Sequence, residues 1–156
     1  MNVIRYLMIM NLIIICQPWK ALRLGNNSIA SISIFEVVQS FTDPEKVMWL
    51  DLSFNLIDRI DESLPAIFPN LTTLYLHANH ITKLSHIKKL ASLTKLKSLT
   101  LYGNPVEEHK HYRNYILYCF PHLQQLDFCV ITSNQREKVS LSLTRDVYIC
   151  LCTHVV

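Results

Sequence analysis

Hydrophobic and polar positions follow one another along this chain in a recurring order. Residues 71–81 place leucine at the first, fourth and sixth positions (Leu71, Leu74, Leu76), asparagine at the ninth (Asn79) and isoleucine at the eleventh (Ile81). Residues 47–57 keep the order through Val47, Leu50, Leu52, Asn55 and Ile57, and residues 96–106 through Leu96, Leu99, Leu101, Asn104 and Val106. Two weaker copies flank them. In one, Trp19 stands ahead of Leu22, Leu24, Asn27 and Ile29; in the other, Leu123, Leu126 and Phe128 lead to Ile131, where the asparagine is lost.

The asparagines recur at intervals of 28 (Asn27 to Asn55), 24 (Asn55 to Asn79) and 25 (Asn79 to Asn104) residues, inside the range of about 20–29 for leucine-rich repeats. The order therefore predicts a solenoid of the α/β class, with a short parallel concave sheet, short helices or turns on the convex side and a C-terminal helical cap. In each short strand alternate side chains face opposite ways, so Leu74 and Leu76 turn inward while Thr73, Tyr75 and His77 turn out. Leu71, Ile81, Leu84 and Leu90 are expected to close the interior from the other walls. Asn27, Asn55, Asn79 and Asn104 form a structural ladder, because an amide leaving the strand can both donate to and accept from backbone groups of adjacent turns. A single coil cannot bury its own apolar face, so the end coils need covers.

Between these copies the spacing predicts a helix over residues 32–41, a short turn over 64–70 where Pro65 and Pro69 limit a helix, and a short helix over 84–93. Residues 106–120 read as one amphipathic helix, with Glu107 and Glu108 near its start and a stripe of Tyr112, Tyr115, Ile116 and Cys119. Pro121 ends it, and Leu123, Leu126 and Phe128 return to the strand pattern. The chain thus divides into an apolar N-terminal segment (residues 1–19), a repeat domain of about five repeats including its C-terminal cap (20–131) and an irregular tail (132–156).

Composition narrows the function classes. With 50% hydrophobic and 17% charged residues the chain is globular and long enough for one domain. Two glycines exclude a glycine-rich phosphate loop, and a net charge of +3 spread over several segments gives no reason to expect nucleic acid. The five cysteines are odd in number and contain no Cys-x-x-Cys pair, as expected of reduced thiols in the cytoplasm rather than a disulfide or zinc framework. Residues 1–16 are apolar but shorter than the roughly 20 residues that span a bilayer, and they lack a small-x-small cleavage site. They are expected to cover the first coil or to mark an alternative start. The rival reading is a secretory signal or anchor, which would make this a secreted or tethered repeat protein and give meaning to the acceptor triplets at Asn26 and Asn70.

The residues 48–55, 74–79, 99–108 and 112–115 resemble the leucine-rich repeat-containing protein 51 family among intracellular repeat proteins. The likeness, which runs from about Ala21 to about Glu137, includes residues outside the consensus such as Trp49 and the Glu107-Glu108 pair. Tyr112-Arg113 with residues 123–127 is also similar to a C-terminal cap shared by intracellular repeat proteins that act as adaptors. The resemblance implies a cytoplasmic, non-enzymatic protein without naming a partner. The segment before Pro18 and the tail after Glu137 depart from the family.

The outward positions of the strands are Arg23, Trp49, Asp51, Ser53, Thr73, Tyr75, His77, Ser98, Thr100, Tyr102, Gln125 and Asp127. Among them Trp49, Tyr75, His77 and Tyr102 are expected to form an aromatic patch over adjacent coils, with Asp51 beside it. Such rings combine apolar area with a polar tip and are enriched at interfaces. Alternatively they merely cover the sheet. His109 and His111, placed on a helix, would lie about 200° apart and could not face one ion; His77 and His80 have no third ligand at a fixed offset. No nucleophile elbow, Walker loop or His-Glu-x-x-His helix is present. The expectation is a monomeric, non-enzymatic adaptor that binds a protein on its concave face, with no catalytic residues, cofactor, metal, nucleic acid or small-molecule substrate and no membrane span.

Overall fold

The computed structural model describes residues 13–15, 20–30 and 43–142, with backbone alone at 13–15 and 141–142. The helix expected over residues 32–41 and most of the apolar segment lie outside the described residues. Among the described residues, seven short strands follow one another in chain order within one sheet: β1 (Ile13–Ile15), β2 (Ala21–Arg23), β3 (Trp49–Asp51), β4 (Thr73–Tyr75), β5 (Ser98–Thr100), β6 (Gln125–Leu126) and β7 (Cys129–Val130). The pairs from β2 to β6 are parallel, whereas β1 and β7 pair antiparallel at the two ends. Parallel neighbours need a crossover, and the remainder of each coil supplies it.

The register follows from the inward leucines. Leu22, Leu50, Leu74, Leu99 and Leu126 are aligned across five strands, and each is essentially inaccessible to water. Leu24, Leu52, Leu76 and Leu101 form a second buried row, and Leu71, Ile81, Leu84 and Leu90 close the other walls as expected. A one-residue slip would turn the whole set outward, so burial alone fixes the pairing.

Asn55, Asn79 and Asn104 are buried and tie each coil to the one before it. Asn79 accepts from the Ile57 N–H at 3.0 Å and donates to the carbonyls of Leu52 and Leu76 at 3.0 Å each and of His77 at 3.3 Å. Asn55 serves Ile29, Leu24 and Leu52 in the same way, and Asn104 serves Ile81, Leu76 and Leu101. Asn27, in the first coil, donates to Leu24 and Gly25.

On the convex side, Ser63–Ile67 forms the single-turn helix α1, which contains Pro65 in its first turn and ends before Pro69, and Leu84–Lys88 forms α2, which continues as a 3-10 turn over Lys89–Ser92. The three-residue spacing of Leu84, Ile87, Leu90 and Leu93, all buried, suits a helix that tightens to three residues per turn. Residues 106–120 are not one helix. Pro105–Glu108 is a separate 3-10 turn, an extended His109 follows, and only Tyr112–Cys119 is the α-helix α3. The Val106 N–H is held by the Ile81 carbonyl of the third coil at 2.9 Å, and the chain leaves the 3-10 turn at His109, whose backbone is extended. Tyr112, Tyr115 and Ile116 must meanwhile close the end of the core. A further helix, α4 (Ser133–Ser142), packs against α3, so the tail expected to be irregular from residue 132 begins with a helix.

Candidate functional site: the concave face

The concave face is built by the outward positions of β3, β4 and β5 and the turns that leave them. Trp49 meets Tyr75 edge-on with ring centres 5.5 Å apart, and Tyr75 lies 5.9 Å from His77. His77 stacks on Tyr102 at 4.7 Å with planes only 8° from parallel. The four rings singled out in the sequence are therefore one contiguous cluster over three coils. Trp49, Tyr75 and Tyr102 are half-buried, whereas His77, although it points away from the leucine core, is 7% exposed. Its Nδ1 shares a hydrogen bond of 2.8 Å with the Thr100 hydroxyl. Burial holds the His77 pKa below the usual histidine range, against the upward pull of the Asp51 and Asp127 carboxylates.

Two rings join the cluster that strand alternation does not place there. Phe54 sits edge-on to His77 at 5.3 Å, and Phe128 contacts Tyr75, His77 and Tyr102 at 5.5, 5.9 and 6.0 Å. They are also the most exposed rings of the cluster, at 52% and 55%. Phe128 occupies a position that in the inner coils is an inward leucine, so its expected place in the strand pattern is corrected. Asp127 and Phe128 both take left-handed backbone angles, φ 53° and 61°, which reverse the chain into antiparallel β7 and turn Phe128 out. Phe54 was legible only by comparing copies: the residue before the ladder asparagine is Asn26, Ala78 or Gly103 elsewhere.

Asp51 is buried beside the rings. Its Oδ1 accepts from the Ser53 N–H at 2.9 Å and hydroxyl at 2.6 Å, and its Oδ2 lies 3.5 Å from Arg23 Nε. Gly25 keeps this space open, since a Cβ there would come within 3.1 Å of both Asp51 Oδ2 and Ser53 Oγ. At the opposite end Asp127 Oδ1 accepts from the N–H groups of Leu101 (2.6 Å) and Tyr102 (3.0 Å), and its Oδ2 accepts from the Tyr112 hydroxyl at 2.9 Å. Burial and the adjacent Asp127 charge push the Tyr112 pKa far up. Glu107 takes the next strand-end donor, the Gly103 N–H, at 2.8 Å. In the earlier coils the donors equivalent to Leu101 and Gly103 go to backbone carbonyls of the next coil, as from Leu24 to Asp51 and from Ala78 to Tyr102, whereas Ser53, the equivalent of Tyr102, donates to the Asp51 side chain. Side-chain carboxylates thus end the ladder.

His109 and His111 have ring centres 6.4 Å apart; among the described residues no three or more histidines, cysteines or carboxylates gather as metal ligands. No helix among the described residues is long and apolar enough to cross a membrane.

Leucine ladder, asparagine ladder and capped parallel sheet agree with a match of residues 6–145 to the family model described as leucine-rich repeat. The chain belongs to the leucine-rich-repeat family. Within that family it is similar to leucine-rich repeat-containing protein 51 of Bos taurus, with 44% identity over 119 residues that cover 75% of this chain and 62% of the relative. The chain thus spans about three fifths of that relative's length. Among solved structures it is similar to a chain of the Drosophila melanogaster SNF/U2A' complex, with a TM-score of 0.74 and 24% identity, covering 99% of this chain and 97% of that one. The Mex67 leucine-rich-repeat domain of Chaetomium thermophilum gives a TM-score of 0.61 at 27% identity, covering 88% and 97%.

Proposed function

We propose that this leucine-rich-repeat protein is a non-enzymatic cytoplasmic adaptor that holds a protein partner on its concave face. The observation that carries the reading is the ring cluster. Trp49, Tyr75 and Tyr102 are half-buried and Phe54 and Phe128 are largely exposed, all in contact across adjacent coils. Interfaces draw much of their energy from a few central aromatic side chains surrounded by contacts that exclude water. The fold supports it as well, since solenoid sheets present extended concave binding surfaces.

The compartment is part of the proposal. The exposed free thiol of Cys129 suits a reducing environment. Asn70, an acceptor triplet in the secretory alternative, already donates through Nδ2 to the Glu45 carbonyl at 2.8 Å and accepts from Lys95 at 2.6 Å. A glycan on that nitrogen would displace the contact.

The test compares wild type with the double variant Tyr75→Ala, Tyr102→Ala as immobilised bait. The expected outcome is a protein retained by wild type and lost by the variant, while both unfold cooperatively. Equal retention by both would remove the concave face from the function.

A further inference from the structure

The charges around the rings do not match those of the chain as a whole. The protein carries a net charge of +3, yet the twelve outward positions hold two carboxylates, Asp51 and Asp127, against one guanidinium, Arg23. Asp127 is the chain neighbour of Phe128 and accepts from the Tyr102 N–H at 3.0 Å, and Asp51 is buried beside the rings at the other end. Arg23 lies toward the N-terminal end, at 3.5 Å from Asp51, whereas Asp127 is engaged by N–H and hydroxyl donors that do not cancel its charge. His77 is buried, with a depressed pKa, and adds no positive charge at neutral pH. The centre is therefore a platform of ring faces and edges within a negative field.

Resting on the adaptor reading above, we infer that the partner segment held on this platform presents a cationic side chain, arginine above all, which lies against Phe54 and Phe128, the two exposed rings that both contact His77. Ring faces attract a cation through their quadrupole, and arginine also stacks flat on them. The exposure of these two rings leaves them accessible to an incoming side chain. The carboxylates, already committed to internal hydrogen bonds, contribute charge rather than a direct salt bridge. An acidic segment would meet the same field unfavourably, and a purely apolar one would leave it unused.

The experiment uses a displayed random peptide library panned on the full chain, with binders kept that the Tyr75→Ala, Tyr102→Ala variant does not retain. The expected result is arginine or lysine at one recurrent position. Replacing that arginine by citrulline, which keeps its shape and loses its charge, weakens binding about tenfold. Phe54→Leu with Phe128→Leu, which keeps apolar volume and removes the π faces, gives a similar loss for the arginine peptide and none for the citrulline peptide. Face-dependent binders without a basic residue, or equal affinity of the arginine and citrulline forms, would overturn this inference while leaving the adaptor intact. A library yielding no face-dependent binder, together with equal retention by both baits in the earlier test, would overturn both.

Discussion

Phe54 holds a left-handed backbone angle of 54°, a conformation that costs an L-residue roughly 1–2 kcal/mol. The same corner recurs before every ladder asparagine: Asn26, Ala78 and Gly103 have φ of 59°, 54° and 70°. The coil must bend there to leave the sheet, and asparagine or glycine bears the bend with less strain. A phenylalanine at this corner, half out in solvent, runs against local preference, which is the pattern expected where function sets the residue. Phe54→Gly is expected to leave stability unchanged or raise it by up to about 1 kcal/mol, the relief of strain offsetting the lost ring contact and added chain entropy. A urea midpoint at or above wild type checks this; a clear fall would make the ring a structural part. The leucine and asparagine positions were legible because their period is simple and their roles are the same in every coil. The burial of His77 and Asp51 was not, because it depends on what the neighbouring coils place over them: Phe54 and Tyr102 in one case, Arg23 and Gly25 in the other.

Among the elements, the C-terminal cap is the one whose energetics can be isolated. Here α3 contributes Tyr112 to the turn after β6, where Asp127 joins its hydroxyl to two strand N–H groups. The Tyr112 pKa is raised in the folded state, while the unfolded chain ionises it near 10. Below about pH 10 the phenol is protonated in both states and its contribution is fully present; above that pH the unfolded state loses a proton that the folded state retains, so stability falls. Tyr112→Phe is expected to remove about 1.5–3 kcal/mol of unfolding free energy at neutral pH for the lost charge-assisted bond, read as a lower urea midpoint, and to flatten the decline above about pH 10. A parallel decline in both proteins would show that other groups govern it. The sequence revealed that a cap exists and which stripe it buries. It did not reveal the break at His109, because the hydrophobic spacing of residues 112–119 extends plausibly backward, while the extended backbone that separates the 3-10 turn from α3 leaves no mark on that spacing.

At the scale of the whole molecule, stability is distributed between neighbouring coils, and the asparagine ladder is one of the means. Asn79→Ala removes the acceptor of the Ile57 N–H, while the Leu52 and Leu76 carbonyls keep the amides of Asn55 and Asn104. The cost is therefore set by one orphaned buried donor, about 1–3 kcal/mol, rather than by the sum of four bonds. A thermal midpoint equal to wild type would contradict it; the concave rings should keep their spectroscopic signature while the molecule melts earlier. The carboxylates that finish the sheet have a different consequence. With Leu101 and Gly103 supplied by Asp127 and Glu107, a coil appended after that point would find its docking donors taken. Growth of such an array by duplication must then occur among the interior turns, and the breadth of the ring-bearing hollow is limited at one side by two acidic side chains.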